Sequence, residues 1–379
     1  MSKISRISRY FADDKDILDL VSQGSVSLSR LSEVLRRRGV IVSPKAEKQT
    51  VATYFQRLQF SWPQLVELLE ILDRPERDDK FTNFRIDGDP AQLTVDNVIA
   101  ALDNVKSERG SRFNEIYKIS KINDNSLAIS VEYSEPDFSK TRLRQNQDRT
   151  VNFTIDTTPS GLQVRHSSGT RGTEVMEHLE RFLGKEDQPL PRKREIALSG
   201  FSSDKRSRFF VELARGIAGY TLSDQNGLRV DRPESMAEDE EDEQQDGGTD
   251  DDAVLEGLVK RAVLQGSSLL SSAEYQGYAR RGYSMSKLNW VAEGADPKQG
   301  WIEFMAEFQN GPEGTGFKYG ILGKWDRKDD GERAKMRRAV TQIEKESLLR
   351  LIEDGAYNAL DSIADEQIAE SESAIEPLT

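Results

Sequence analysis

The chain has 379 residues, no cysteine, two histidines and a formal charge of −13 at pH 7. Without thiols it can build neither a disulfide framework nor a thiolate metal site, and two histidines alone do not make a zinc site. Its length exceeds one ordinary core, since domains run about 100 to 200 residues, so several folded parts are expected.

The start, MSKISRISRYFADDKD, lacks the apolar stretch of a signal peptide, and no segment approaches about 18 uninterrupted apolar residues. A cytoplasmic chain with no membrane partner is expected. From residue 14 to 73 apolar side chains recur at three and four: Ile17, Leu18, Leu20 and Val21; Leu31, Val34 and Leu35; Val51, Tyr54, Phe55 and Leu58; Leu65, Leu68, Leu69 and Leu72. That spacing predicts four short amphipathic helices, an all-helical module over residues 1–78. Ser27 and Ser29 suit the start of the second helix, Gly39 its end, and Ser61-Trp62-Pro63 the start of the fourth.

Beyond Phe81 the period shortens. Asn114–Ser120 and Ser126–Tyr133 alternate around an Asp124-Asn125 turn, and Thr150–Ile155 pairs with Gly161–His166 around Thr158-Pro159-Ser160. Helices are predicted at Thr94–Val105, Glu174–Leu183 and Ser203–Ala218, with a short strand at Leu228–Val230. Strands and helices without regular βα alternation predict a central mixed α+β domain with antiparallel hairpins over 79–234.

The run from Glu238 to Asp252 is acidic at ten of its fifteen positions and holds no apolar residue. Such a composition cannot offset ordering entropy by burial, so residues 235–252 read as an acidic tether. Most of the net charge sits in this run and in six acids between Asp361 and Glu376, which leaves a remainder of about +3 and removes charge as an objection to a polyanion partner. If the tether competes with phosphate for basic side chains, deleting 238–252 should tighten DNA binding at low salt, as a titration of labelled duplex would read.

Past the tether, Val254–Gly266 and Ser272–Arg281 read as helices. Tyr283–Ala292, Trp301–Phe308 and Phe317–Trp325 alternate between Gly- and Pro-rich segments, and Thr341–Leu360 reads as a closing helix. This predicts a C-terminal α+β domain over 253–362 with a three-stranded antiparallel meander, followed by an acidic tail over 363–379. Trp301, Phe304 and Phe308 do not share one parity, so at least one of them is expected to leave the buried face.

No pattern identifies a catalyst. His166 and His178 stand without neighbouring ligands, and Gly311–Lys318 has neither the spacing nor the strand-to-helix setting of a phosphate loop. Asp156, Glu303 and Glu307 do not fall into a carboxylate-and-lysine nuclease pattern. No cofactor and no metal are expected.

Basic clusters carry the positive signal. Arg36-Arg37-Arg38 ends a helix, with Lys45 and Lys48 following; Lys140, Arg142, Arg144 and Arg149 share a loop between hairpins; Arg192-Lys193-Arg194 follows Pro189 and Pro191; and Lys205, Arg206 and Arg208 open a helix, where cations oppose the dipole unless an anion lies near. Trp290, Trp301 and Trp325 are candidate contacts for a partner protein.

Residues 31–58, LSEVLRRRGVIVSPKAEKQTVATYFQRL, resemble a SAP-type helix-loop-helix. The likeness lies in Leu31 and Leu35, Arg38-Gly39, Ile41, Lys48, Val51 and Leu58, with Ser43-Pro44-Lys45 standing where such modules carry a glycine before the second-helix lysine. The resemblance implies a small DNA-holding module. The α+β remainder is similar in general plan to accessory proteins of bacterial antiphage defence systems. Together these predict a non-catalytic DNA-binding accessory subunit of a bacterial multi-protein complex. The alternatives are an adaptor that binds only proteins and a divergent metal-dependent nuclease.

Overall fold

The computed structural model describes residues 12–23, 26–72, 80–88, 93–139, 141–159, 161–184, 192–232, 260–296 and 298–375, side chains excepted at 71, 72, 144 and 371–375. The expected tether and Lys140 lie outside the described residues. The fold is mixed α+β, with antiparallel strands throughout, and the chain divides into two compact units. One comprises Met1–Asp78, Val98–Lys121 and Ala128–Asn152, the other Asp79–Asn97, Ile122–Leu127 and Phe153–Thr379.

The first unit holds the four expected helices, α1 (Asp14–Ser22), α2 (Leu28–Arg37), α3 (Lys48–Gln56) and α4 (Trp62–Leu72). Asp13 and Asp16 close a reciprocal capping box on α1, and Ser27 caps α2 by accepting from the Arg30 amide. Leu20, Val21, Leu31, Leu35, Ala52 and Phe55 form the center of its core, and Leu143 joins them from a 3-10 turn at Arg142–Arg144. The loop holding Arg142 therefore belongs to the helical module's own core, not to a separate central domain. Most of α5 (Val95–Phe113), β2 (Ile116–Asn123) and β3 (Ser126–Pro136) completes this unit, with the first half of β4 (Asn146–Thr158). Glu115 is buried here, held by the Arg109 guanidinium at 2.9 Å and by the Tyr117 hydroxyl at 2.5 Å.

The second unit contains β1 (Lys80–Asp87), β5 (Gly161–Ser167), α6 (Thr170–Leu183), β6 (Arg192–Glu195), α7 (Ser203–Arg215), β7 (Tyr220–Asp231), β8 (Arg261–Gln265), α8 (Ala273–Arg280), β9 (Ser284–Gly294), β10 (Trp301–Asn310), β11 (Thr315–Trp325) and α9 (Gln342–Ile375). Its strand order is β4-β5-β1-β11-β10-β9-β7-β8, with β6 also on β1. β11 and β6 divide one edge of β1 between them. Lys80 and Phe81 stand opposite Gly320 and Tyr319 of β11, while Phe84 to Asp87 stand opposite Glu195 to Arg192 of β6. Among the described residues, none is paired in register with Thr82 and Asn83 on that edge, between the two stretches, though the Thr82 hydroxyl donates to the Phe317 carbonyl at 2.9 Å.

One face of this sheet packs on α7 and α9. Phe308 lies 5.8 Å from Phe209 and 5.7 Å from Phe210, and Leu349, Ile352, Ala356 and Tyr357 of α9 are buried in the same core. Along β10, Ile302, Phe304, Ala306 and Phe308 supply that face. The opposite face carries Trp301, Glu303, Met305 and Glu307, all buried as well. Glu307 pairs with Lys80 at 2.5 Å and Lys287 at 3.5 Å, Glu303 pairs with Arg337, and the Arg327 guanidinium covers the Trp301 ring at 4.3 Å. The parity mismatch of Trp301 with Phe304 and Phe308 does place them on opposite faces, but none leaves the interior, because an ion-paired layer covers the second face.

Four sequence expectations are corrected. Residues 261–265 form a strand, not a helix, since they pair along β7 from Gly227 to Asp231. Arg192–Glu195, where no strand is predicted, forms one. The closing helix runs on through residue 375, so much of the expected acidic tail is helical. The boundaries placed at 234 and 253 separate no cores: β7 pairs with β9 over Tyr220–Asp231, and Phe209, Phe210, Trp290 and Phe304 share one hydrophobic cluster.

Candidate nucleic-acid interface

The basic end of α2 is shaped by its termination. Gly39 adopts φ +77°, the left-handed conformation that glycine takes without β-carbon strain. Val40 then donates to the Leu35 carbonyl at 2.9 Å and Gly39 to Arg36 at 3.0 Å, a Schellman end that turns the chain out of the helix. The turn presents Ile41 at 93% exposure, with Lys45 exposed farther along the same loop.

The five expected cations here divide into two kinds. Arg38 stacks on Phe60 at 4.2 Å and donates to the Gln59 carbonyl, and Lys48 donates to the carbonyls of Ser22 at 3.3 Å and Gln23 at 2.5 Å, closing the end of α1. Both side chains hold the module together. Arg36 and Arg37 instead share Glu33, at 2.7 and 3.2 Å, and Arg37 also reaches Glu67 at 2.9 Å. The two guanidiniums hold the Glu33 carboxyl below its usual range. With Arg36 and Arg37 at 72% and 54% exposure these are solvent-screened pairs, which contribute little and exchange readily for another anion. Residues 26–58 carry seven Lys and Arg against two Glu, so the segment keeps an excess of five positive charges after every internal pair is made. Lys45 has no acidic partner among the described residues.

The mid-chain cations do not extend this surface. Arg142 pairs with Asp16 at 3.2 Å, and Arg149 with Glu135 at 2.8 Å; the Arg144 side chain lies outside the described residues. In the second unit Lys193 sits between Glu180 at 3.0 Å and Glu195 at 2.8 Å, Arg194 pairs with Asp361, and Lys205 with Glu370 at 2.5 Å. Arg206 donates to the carbonyls of Phe201 and Pro312, and burial lowers its pKa. Arg192 is exposed. The anions near the start of α7 are thus carboxylates of α9, with Glu366 taking Arg208 at 2.6 Å. The expected stripe of free positive charge is corrected to a set of internal ion pairs, because acids distant in sequence fold back onto it.

Nor do the tryptophans offer a docking surface. Trp290 is fully buried against Phe304 at 5.6 Å, Trp301 lies beneath Arg327, and the half-buried Trp325 has Arg333 over its ring at 4.8 Å. Among the described residues no group of three acids or histidines is placed to hold a metal ion. Asp156 is engaged by Ser126 and Arg350, and His178 by Arg181. What sequence reasoning misses on the helical module is the exposure of Tyr54, at 44%, on the helix that follows the cationic loop. Its position in an apolar 3-4 pattern reads as core. The chain matches no protein-family model and no curated protein.

Proposed function

We propose that this chain is a non-catalytic DNA-binding accessory subunit of a multi-protein complex, and that it meets DNA through Arg36, Arg37 and Lys45 at the α2–α3 loop. The observation that carries the reading is a protruding apolar tip at Ile41, on the loop after α2, beside exposed cations at the end of α2 and on the same loop, in a segment of excess positive charge. Cations that hold weak exposed pairs trade a carboxylate for a phosphate at little cost and release counterions from the duplex as they do so. The general likeness of the α+β remainder to accessory proteins of antiphage systems supports a role within a larger assembly.

Replacing Arg36, Arg37 and Lys45 together with Ala should weaken binding to a labelled duplex and flatten the dependence of log K on log salt by about 2 to 3 units, at about 0.9 for each phosphate no longer neutralised. Arg38 and Lys48 serve as the contrast: their replacement should lower the melting temperature of the helical module, since one stacks on its core and the other closes α1. Duplex affinity unchanged in the triple variant would leave the protein-only adaptor as the surviving reading.

A further inference from the structure

In the second unit one row of the sheet holds Val263, Arg229, Lys287, Glu307 and Lys318, which stand opposite one another in turn on β8, β7, β9, β10 and β11. Cross-strand partners share a face, so all five lie on the face away from α7 and α9. At about 4.8 Å between neighbouring strands the row runs for about 19 Å. Lys80 joins it from β1, opposite Gly320.

Charge is layered on this face. The carboxylates of Asp231, Glu303 and Glu307 lie underneath, with side chains 2%, 7% and 9% exposed, while Arg261, Arg337 and Lys80 reach out over them at 52%, 44% and 42%. Asp231 takes Arg261 at 2.6 Å and Arg229 at 3.3 Å, Glu303 takes Arg337, and Glu307 gathers Lys80 at 2.5 Å, Lys287 at 3.5 Å and Arg229 at 3.9 Å. Burial opposes the Glu307 charge, but Lys80, Lys287 and Arg229 outweigh it and hold the carboxyl below its usual range. One negative charge does not neutralise three cations. Lys318, opposite Glu307 in the ladder, is half-buried and makes no ion pair among the described residues. Lysine and arginine stems cover the sheet while their charged ends meet water, so the layer presented to solvent is positive.

We propose that this face is a second contact for the phosphate backbone of duplex DNA, carried by Lys80, Arg229, Lys287 and Lys318. It takes its partner from the DNA-binding reading but none of its residues from the α2–α3 loop. A polyanion of high linear charge density fits the row, because counterions leave the duplex as the cations meet it. The row carries no aromatic ring on which a base could stack, which favours a duplex over a single strand. Lysine ammoniums are point charges, so the contact holds the backbone without reading sequence.

Anisotropy of a labelled duplex, titrated with the full chain at several salt concentrations, tests the face. Lys287→Gln with Lys318→Gln should weaken binding about fivefold and flatten the dependence of log K on log salt by about 1 to 2 units, at about 0.9 for each phosphate released. The melting temperature should hold, because Lys80 and Arg229 still serve Glu307. Glu307→Gln should act in the opposite direction and tighten binding even as it lowers the melting temperature, which a purely structural carboxylate would not do. Duplex affinity lost in the Arg36, Arg37 and Lys45 variant but unchanged in the double lysine variant would overturn this face and leave the loop. The reverse result would leave this face as the DNA contact and remove the loop. Displacement of the duplex by poly-glutamate at equal charge concentration would make the partner an acidic protein and overturn the assignment to DNA.

Discussion

Replacing Glu353 with Ala is expected to destabilise the second unit by about 3 to 5 kcal/mol, the cost of stranding a buried charge. Glu353 is fully buried on α9 and accepts from three β-strand side chains: Arg165 at 3.0 Å through its second nitrogen, Gln163 at 2.8 Å, and the Tyr319 hydroxyl. Burial works against the Arg165 charge, but Glu353 outweighs it and raises the guanidinium pKa, while burial and the same carboxylate push the Tyr319 hydroxyl well up. Without Glu353, Arg165 keeps only the half-exposed Glu346 at 2.6 Å. Urea unfolding followed at the tryptophans would measure the loss, and a change under about 1 kcal/mol would show that water reaches the site. Replacing the pair as Arg165→Met with Glu353→Leu should restore much of the stability, since an apolar pair of similar volume has no charge to desolvate.

The second large effect is expected from acid. His166 is enclosed by Phe153 at 5.5 Å and Phe84 at 6.3 Å, with Gly172 of α6 so close that a β-carbon there would stand 2.6 Å from Nδ1. Burial, aided by Lys193 and Lys318 and opposed by the Ser167 carbonyl and Glu195, lowers its pKa from 6.5 to about 4. The folded chain thus binds this proton more weakly than the unfolded chain. The stabilisation is fully present above about pH 6.5 and is lost as the pH falls toward 4, by roughly 3 kcal/mol in all. The difference between the wild-type chain and His166→Phe isolates this group, because the carboxylates titrate in both. A wild-type chain whose stability tracks that of His166→Phe between pH 6.5 and 4 would contradict the assignment.

Local periodicity makes the helices α1 to α4, the hairpins around Asp124-Asn125 and Pro159, and the β9–β11 meander legible, because each buries a face set by residues close in sequence. β8 reads as helix because Val254, Leu255, Leu258, Val259 and Ala262 recur at three and four, while the strand's actual partner, β7, lies across the acidic run. In β10 the glutamates at 303 and 307 read as a solvent face, although their cations come from positions as distant as Lys80. The basic clusters are visible in composition. Which of them remain available is not, since Glu366 and Glu370 reach Arg208 and Lys205 from more than 150 positions away.

The β7–β9 ladder gives the chain a late birth. Tyr220 to Asp231 finds its neighbour only at Ser284 to Gly294, and that neighbour needs β10 beyond it. During synthesis the α7 region must wait, its phenylalanines uncovered, until more than a hundred further residues have left the ribosome. The same ladder acts as a clasp afterwards. A backbone cut placed between residues 233 and 259 should leave the two pieces eluting together from a sizing column, parting only when denaturant is added.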